Sequence, residues 1–282
     1  MMFFADASGP EVHVAPLDVF HIGSFHITNS MFYGWISITL ICILLVWAAR
    51  KMTVMPKGGA IQYVEAAAEF VINFVENAFD NKKTGRKYVP FFMTLFFFIL
   101  CINWLGLVPG VGDAVRSGDN PLLRPFTADL NATLGMGLIT MVFVYAASIK
   151  ESGGFTKYIR HFFVGNPLNP IYFLIGVIEM LTDLTRALSL ALRLFLNVAI
   201  GEIVIGIFAW LGHIGAPISA LPFTLLELFI GALQAYIFAI LATMYLAIAV
   251  NGAAHGHDAH ADDLTTEDVP EIIKKKARKA AV

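Results

Sequence analysis

Two cysteines in 282 residues, Cys42 and Cys101, are too few for a disulfide framework, and both lie inside apolar runs where thiols pack as small hydrophobes. Charge is also scarce. Asp, Glu, Lys and Arg make up 14% of the chain and cluster between apolar stretches, which excludes a soluble, charge-covered domain. Residues 1–28 contain no Lys or Arg, so the basic start of a cleaved signal peptide is missing. Walker loops, GxGxxG fingerprints, nucleophile constellations and internal repeats are absent too, and with them any phosphate-binding or hydrolytic site of the chain's own. No cofactor is expected. No stripe of basic and aromatic residues points to nucleic acid. The net charge of −2 says little, because its distribution matters more than its sum.

What the chain has in quantity is hydrophobicity, 57% of its residues. The apolar runs are too long and continuous for barrel strands, so the fold class is an all-α polytopic membrane protein. A weakly acidic segment, 1–28, carries His13, His21 and His26 at no metal-binding spacing. A first span covers about 29–49, close to the roughly 20 residues a bilayer requires. From Gly58 to Asp80 the pattern changes. Ile61, Val64, Ala68, Val71, Val75 and Phe79 make one face, and Gln62, Glu65, Glu69, Glu76 and Asp80 the other. That is an amphipathic helix, too polar to cross. Its acidic face suits water or a protein partner better than anionic lipid.

A phenylalanine-rich span follows, about 88–108, then a Pro/Gly loop and a third span over about 126–148. Asp129 and Asn131 stand near the start of the third span, where Asp129 either caps a helix or lines an entrance to the membrane. The fourth apolar run, about 170–212, would measure about 60 Å as one helix, against a hydrocarbon core near 30 Å. Either it is a single steeply inclined helix, or its early part, with Glu179, Asp183 and Arg186, runs along the interface. The last run, about 217–250, is also long. Glu227 and Gln234 inside it are seven apart and share a face.

Basic residues gather around 50–57, 82–87, 150–160 and 274–279, while the N-terminus and the loop near 212–221 have none. The positive-inside rule therefore predicts five crossings, the N-terminus outside and the C-terminus inside. The organisation expected is an outer segment 1–28, one membrane domain 29–250 with the surface helix at about 58–80, and a polar cytoplasmic tail 251–282. His255, His257 and His260 fall in that tail, and solvation suits them better than a metal. Its basic end, KKKARK, suits anionic lipid headgroups.

The chemistry concentrates in SLALRLFLNVAIGE, residues 189–202. Arg193 lies deep in the apolar run, where burying a charge costs several kcal/mol and an arginine cannot shed its proton to escape the cost. An ionisable group at such depth marks an ion pathway or a counter-ion site, unless an acid on a neighbouring helix pairs with it structurally. Ser189, Arg193 and Asn197 recur every four residues and share one helical face. Glu202, nine positions after Arg193, is turned by about 900° and points to the opposite side. A fixed cation on one face and a titratable carboxylate on the other suit proton handling.

SLALRLFLNVAIGE, with LELFIGALQAYIFAILATMYL, TADLNATL and WLGLVPG in the same order, resembles subunit a of the membrane sector of rotary (F-type) ATP synthase, from the first span to about Val250. That resemblance implies a non-catalytic stator with the last two crossings long and steeply inclined. It also implies a c-subunit ring, peripheral-stalk b subunits, other ATP synthase subunits and membrane lipid as partners. Two offset half-channels would load and unload protons on the ring carboxylates, and Arg193 would match the family's arginine. Asn197 and Gln234 match polar positions near it. Glu202 and Glu227 match the outer half-channel pair, two carboxylates that would titrate together. Ser189 and Glu179 match positions towards the inner side, and Asp129 and Asn103 line the outer side. The sequence departs from many relatives at Leu196, where they have glycine. TADLNATL and the compact chain point to a bacterial inner membrane. The rival readings are a secondary transporter with Arg193 as an anion site, and a scaffold held by structural ion pairs. Against the first, the chain has neither repeats nor helices broken at the midplane.

Overall fold

The computed structural model describes residues 18–22, 25–51, 60–108, 111–117, 120–151, 154, 170–212 and 215–279, and among some of these only the backbone. A hairpin of β1 (Asp18–Ile22) and β2 (Phe25–Thr28) leads into α1 (Asn29–Lys51). Next come α2 (Ala60–Ala78), α3 (Lys82–Gly106), a second hairpin of β3 (Gly112–Ser117) and β4 (Asn120–Leu123), and a 3-10 turn, Phe126–Ala128. The chain continues with α4 (Leu130–Glu151), α5 (Pro170–Gly212) and α6 (Ala216–Lys279).

Five of these helices, α1, α3, α4, α5 and α6, contain stretches long and apolar enough to cross a membrane. Their outer faces are those of helices set in a bilayer. On α1 alone Trp35, Ile36, Ile43, Leu44, Val46 and Trp47 are exposed, and the exposed apolar surface continues along α4, α5 and α6. Water would penalise so large a patch, whereas hydrocarbon does not. The chain is a multi-pass α-helical membrane protein.

Local chemistry sets the helix ends. The Asn81 side chain accepts from the Lys83 N–H at 3.0 Å, so α3 starts at Lys82, earlier than the apolar run by itself suggests. Asp129 does the same for α4, accepting from the Asn131 N–H at 2.9 Å, so that helix starts at Leu130 after the 3-10 turn. The α2 amphipathicity is real: Val71 and Val75 are fully buried with Phe79 beside them, while Glu69 and Asp80 are exposed. Glu76 meets Arg86 of α3 at 3.6 Å, a surface pair that contributes little.

The core lies between α2, α3, α4 and α6, with Leu190 and Leu194 of α5 packed into it. Phenylalanines of α3 fill it, with Phe91 stacked on Phe143 of α4 at 3.5 Å between ring centroids. Opposite them α6 presents Ala235, Ala239, Ala242 and Ala247, all buried, at spacings of three to five. Small residues at helical spacing let backbones approach, which is what packs helices in lipid, where apolar burial offers no drive.

Several expectations change here. The segment before α1 and the loop after α3 hold short hairpins rather than irregular chain alone, because paired strands satisfy backbone groups within a few residues. The run from Pro170 is one continuous helix of 43 residues, with no break between an interfacial and a crossing part. Past Val250 the backbone of α6 continues as helix to Lys279, into the residues read as a polar tail. The side chains of His255, His257 and His260, those of Glu179 and Asp183, and all of His13 lie outside the described residues.

Candidate functional site

α5 and α6 form a hairpin whose partners run in opposite directions along the two helices. Near the turn, the Ser219 hydroxyl donates to the Phe208 carbonyl at 2.7 Å, and Phe208 stacks on Phe223 at 3.7 Å. Further along, Glu227 packs on Gly201. At the far end the Arg186 guanidinium stands 5.3 Å from the Tyr245 ring centroid. These rungs fix the register of the pair over most of the apolar length of α5.

A cavity of about 720 Å3 opens between the two helices, lined from Thr185 to Ile205 on α5 and from Phe223 to Gln234 on α6. Half of its lining is leucine, isoleucine and valine. Eight residues break that pattern: Thr185, Ser189, Arg193, Asn197 and Gly201 from α5, and Phe223, Glu227 and Gln234 from α6. The face inferred from four-residue spacing is thus a cavity wall, and the Glu227–Gln234 face is the wall opposite. Leu196 also lines the cavity and is half exposed.

Arg193 is the one cation among the polar groups on the walls and Glu227 the one carboxylate, with the amides of Asn197 and Gln234 able both to donate and to accept. Arg193 is exposed on its wall and makes no ion pair among the described residues. The side-chain N–H groups of Asn197 and Gln234 are buried and have no acceptor among the described residues. Glu227 supplies a carboxylate, itself buried. A guanidinium has five N–H donors and no acceptor. With a guanidinium and two amide nitrogens unpaired among the described residues on its walls, the cavity suits a carboxylate or another oxyanion.

Gly201 is the residue that pattern reading passed over. A Cβ at that position would overlap the Glu227 carboxyl, whereas one at Gly206 would meet nothing within 4 Å. Glycine inside an apolar helix weakens it by roughly 1 kcal/mol relative to alanine, so such a residue is itself a signal of close approach. The sequence holds several interior glycines, and only the partner helix tells which one is filled.

The remaining candidates lie elsewhere. Glu202 is half-buried on α5, one residue past Gly201, and is not on the cavity wall. Its interactions are with other groups. Asp129 is buried and does two jobs, capping α4 and accepting from the Ser30 hydroxyl of α1 at 2.7 Å. Asn103 of α3 is buried and donates to the Gly231 carbonyl of α6 at 3.3 Å. Cys42 is exposed on α1 and Cys101 half-buried, both free thiols. No group of three metal-ligating side chains occurs among the described residues.

A family model described as ATP synthase A chain matches residues 31–247. Among curated proteins, the ATP synthase subunit a of Moorella thermoacetica is 33% identical over 240 residues, covering 85% of this chain and 99% of that protein. That of Syntrophobacter fumaroxidans is 33% identical over 243 residues, with 85% and 92% covered. The Myxococcus xanthus protein is 31% identical over 247 residues, with 84% and 77% covered.

Proposed function

Because this chain belongs to the ATP synthase A chain family, we propose that it is the non-catalytic stator subunit along which a ring of c subunits takes up and releases protons. Membership in the family makes ATP synthesis and proton transport the process it serves. The rest is our reading of the site. Arg193 faces a carboxylate carried by each ring subunit. Glu202 and Glu227 serve an outer half-channel, Ser189 and Glu179 an inner one, and Asn197 and Gln234 hold the ground between. Peripheral-stalk b subunits anchor the stator, in a bacterial inner membrane with the N-terminus outside.

One observation carries this reading: Arg193, Asn197 and Gln234 line one cavity, and the side-chain nitrogens of Asn197 and Gln234 have no acceptor among the described residues. A visiting carboxylate would complete the set. At about 4 Å a guanidinium–carboxylate pair gains about 4 kcal/mol at an effective dielectric of 20, enough to hold a carboxylate ionised where hydrocarbon alone would keep it neutral. The same fixed charge repels a proton moving directly between the half-channels. Continuity of α5 and α6 favours this over a transporter built on broken helices.

The test is ATP-driven proton pumping in inverted membrane vesicles, with Arg193→Ala beside the parent and assembly verified. Pumping is expected to vanish while passive proton leak persists or rises. Normal pumping by an assembled Arg193→Ala enzyme would overturn the mechanism and return the scaffold and transporter readings.

A further inference from the structure

Two consecutive residues of α3 grip the backbone of α6 immediately beyond Glu227. The Trp104 indole N–H donates to the Leu228 carbonyl at 3.1 Å, and the Asn103 amide donates to the Gly231 carbonyl at 3.3 Å. The two acceptors are three residues apart, so they lie on one face of α6 nearly a turn apart. A carbonyl oxygen has two lone pairs, so each can keep its place in the helical ladder and accept the side chain as well. Gly231 makes this approach possible, since a Cβ there would stand 3.3 Å from the Asn103 Cβ. Trp104 is 42% exposed on an apolar exterior, where no water is at hand for an indole N–H and the α6 carbonyl takes its place.

Two such bonds on one face resist rotation of α6 about its own axis. The consequence falls on Glu227, whose carboxyl must lie against Gly201 across the hairpin. With side chains reaching about 5–6 Å from the axis, a turn of about 10° moves the carboxyl by about 1 Å. A displacement of about that size is enough to cost on the order of a hundredfold in a positioned chemical step.

We propose that Trp104, with Asn103, is a positioning residue that sets the rotation of α6 and thereby holds Glu227 against Gly201. Its effect on transport rests on the proton-channel reading, while the positioning itself does not. Register is read by disulfide formation in membranes, with Cys42 and Cys101 replaced by alanine. A Cβ at 201 would overlap the Glu227 carboxyl, so Gly201→Cys with Glu227→Cys puts two thiols within bridging range.

Adding Trp104→Phe to that pair is expected to slow cross-linking severalfold and to raise it for Gly201→Cys with Leu226→Cys. In the assembled synthase with Glu227 intact, Trp104→Phe is expected to cut ATP-driven pumping about tenfold. Trp104→His, which keeps a ring N–H, retains most of it. If Trp104→Phe does not assemble, Gly231→Ala perturbs the second contact and should give the same cross-linking shift. An unchanged cross-linking pattern overturns the proposal, as does a loss of pumping without a shift. A shift with normal pumping overturns the link to transport. Failure of the Arg193 test alone leaves the cross-linking result standing, so the two readings fail separately.

Discussion

At the scale of single residues, the site turns on clearance as much as on charge. Arg193 is legible from the sequence because a cation in hydrocarbon is conspicuous on its own, whereas Gly201 matters only through the carboxyl that fills its empty side. Gly201→Ala separates stability from function. Alanine favours the helix by about 1 kcal/mol, and the obstructing atoms belong to the end of a flexible side chain. Thermal stability in detergent is therefore expected to hold or rise slightly, while the Glu227 carboxyl moves by about 1 Å and pumping falls about tenfold or more. Adding Glu227→Asp, one methylene shorter, should recover part of the loss. A sharp drop in stability with pumping intact would contradict the contact. Asp129 illustrates the converse. The sequence left capping and channel lining open, and the structure shows the cap together with a bond to Ser30, 99 residues away, which no local pattern contains.

At the scale of elements, α6 has two unlike faces. Towards α3 it presents small buried residues, and towards the exterior large exposed ones such as Leu225, Phe229 and Ile248. The first face decides how closely the helices pack, and the second needs only to be apolar. Ala239→Leu, at a fully buried position, is expected to destabilise the detergent-solubilised protein by about 1–3 kcal/mol through overpacking. Ile248→Ala on the exposed face should stay within about 0.5 kcal/mol. Equal effects at the two positions in thermal unfolding would refute this division. Where α3 and α4 meet at their polar ends, Lys87 and Tyr88 both donate to Glu151, the tyrosine at 2.7 Å. Hydropathy located these helices, but it had no means of pairing their ends.

At the scale of the whole molecule, basic residues lie at the end of α1, the start of α3 and the end of α4, and the proposed orientation rests on that asymmetry. Single cysteines introduced at Ser24 and at Ala281 in a background lacking Cys42 and Cys101 are expected to react with a membrane-impermeant thiol reagent from opposite sides. Labelling of both from the same side would overturn an odd number of crossings. The sequence by itself determined the class, the spans and the residues sharing a face with Arg193, since span length and helical period are properties of one segment and need no neighbour. It also reached Glu227 and Gln234 as a shared face. That this face meets Arg193 across a cavity, that Glu227 rests on Gly201 and that Trp104 grips the next carbonyl were decided only by tertiary structure. Each depends on how one helix is turned and shifted against another, and packing among segments far apart in the chain sets that rotation and register.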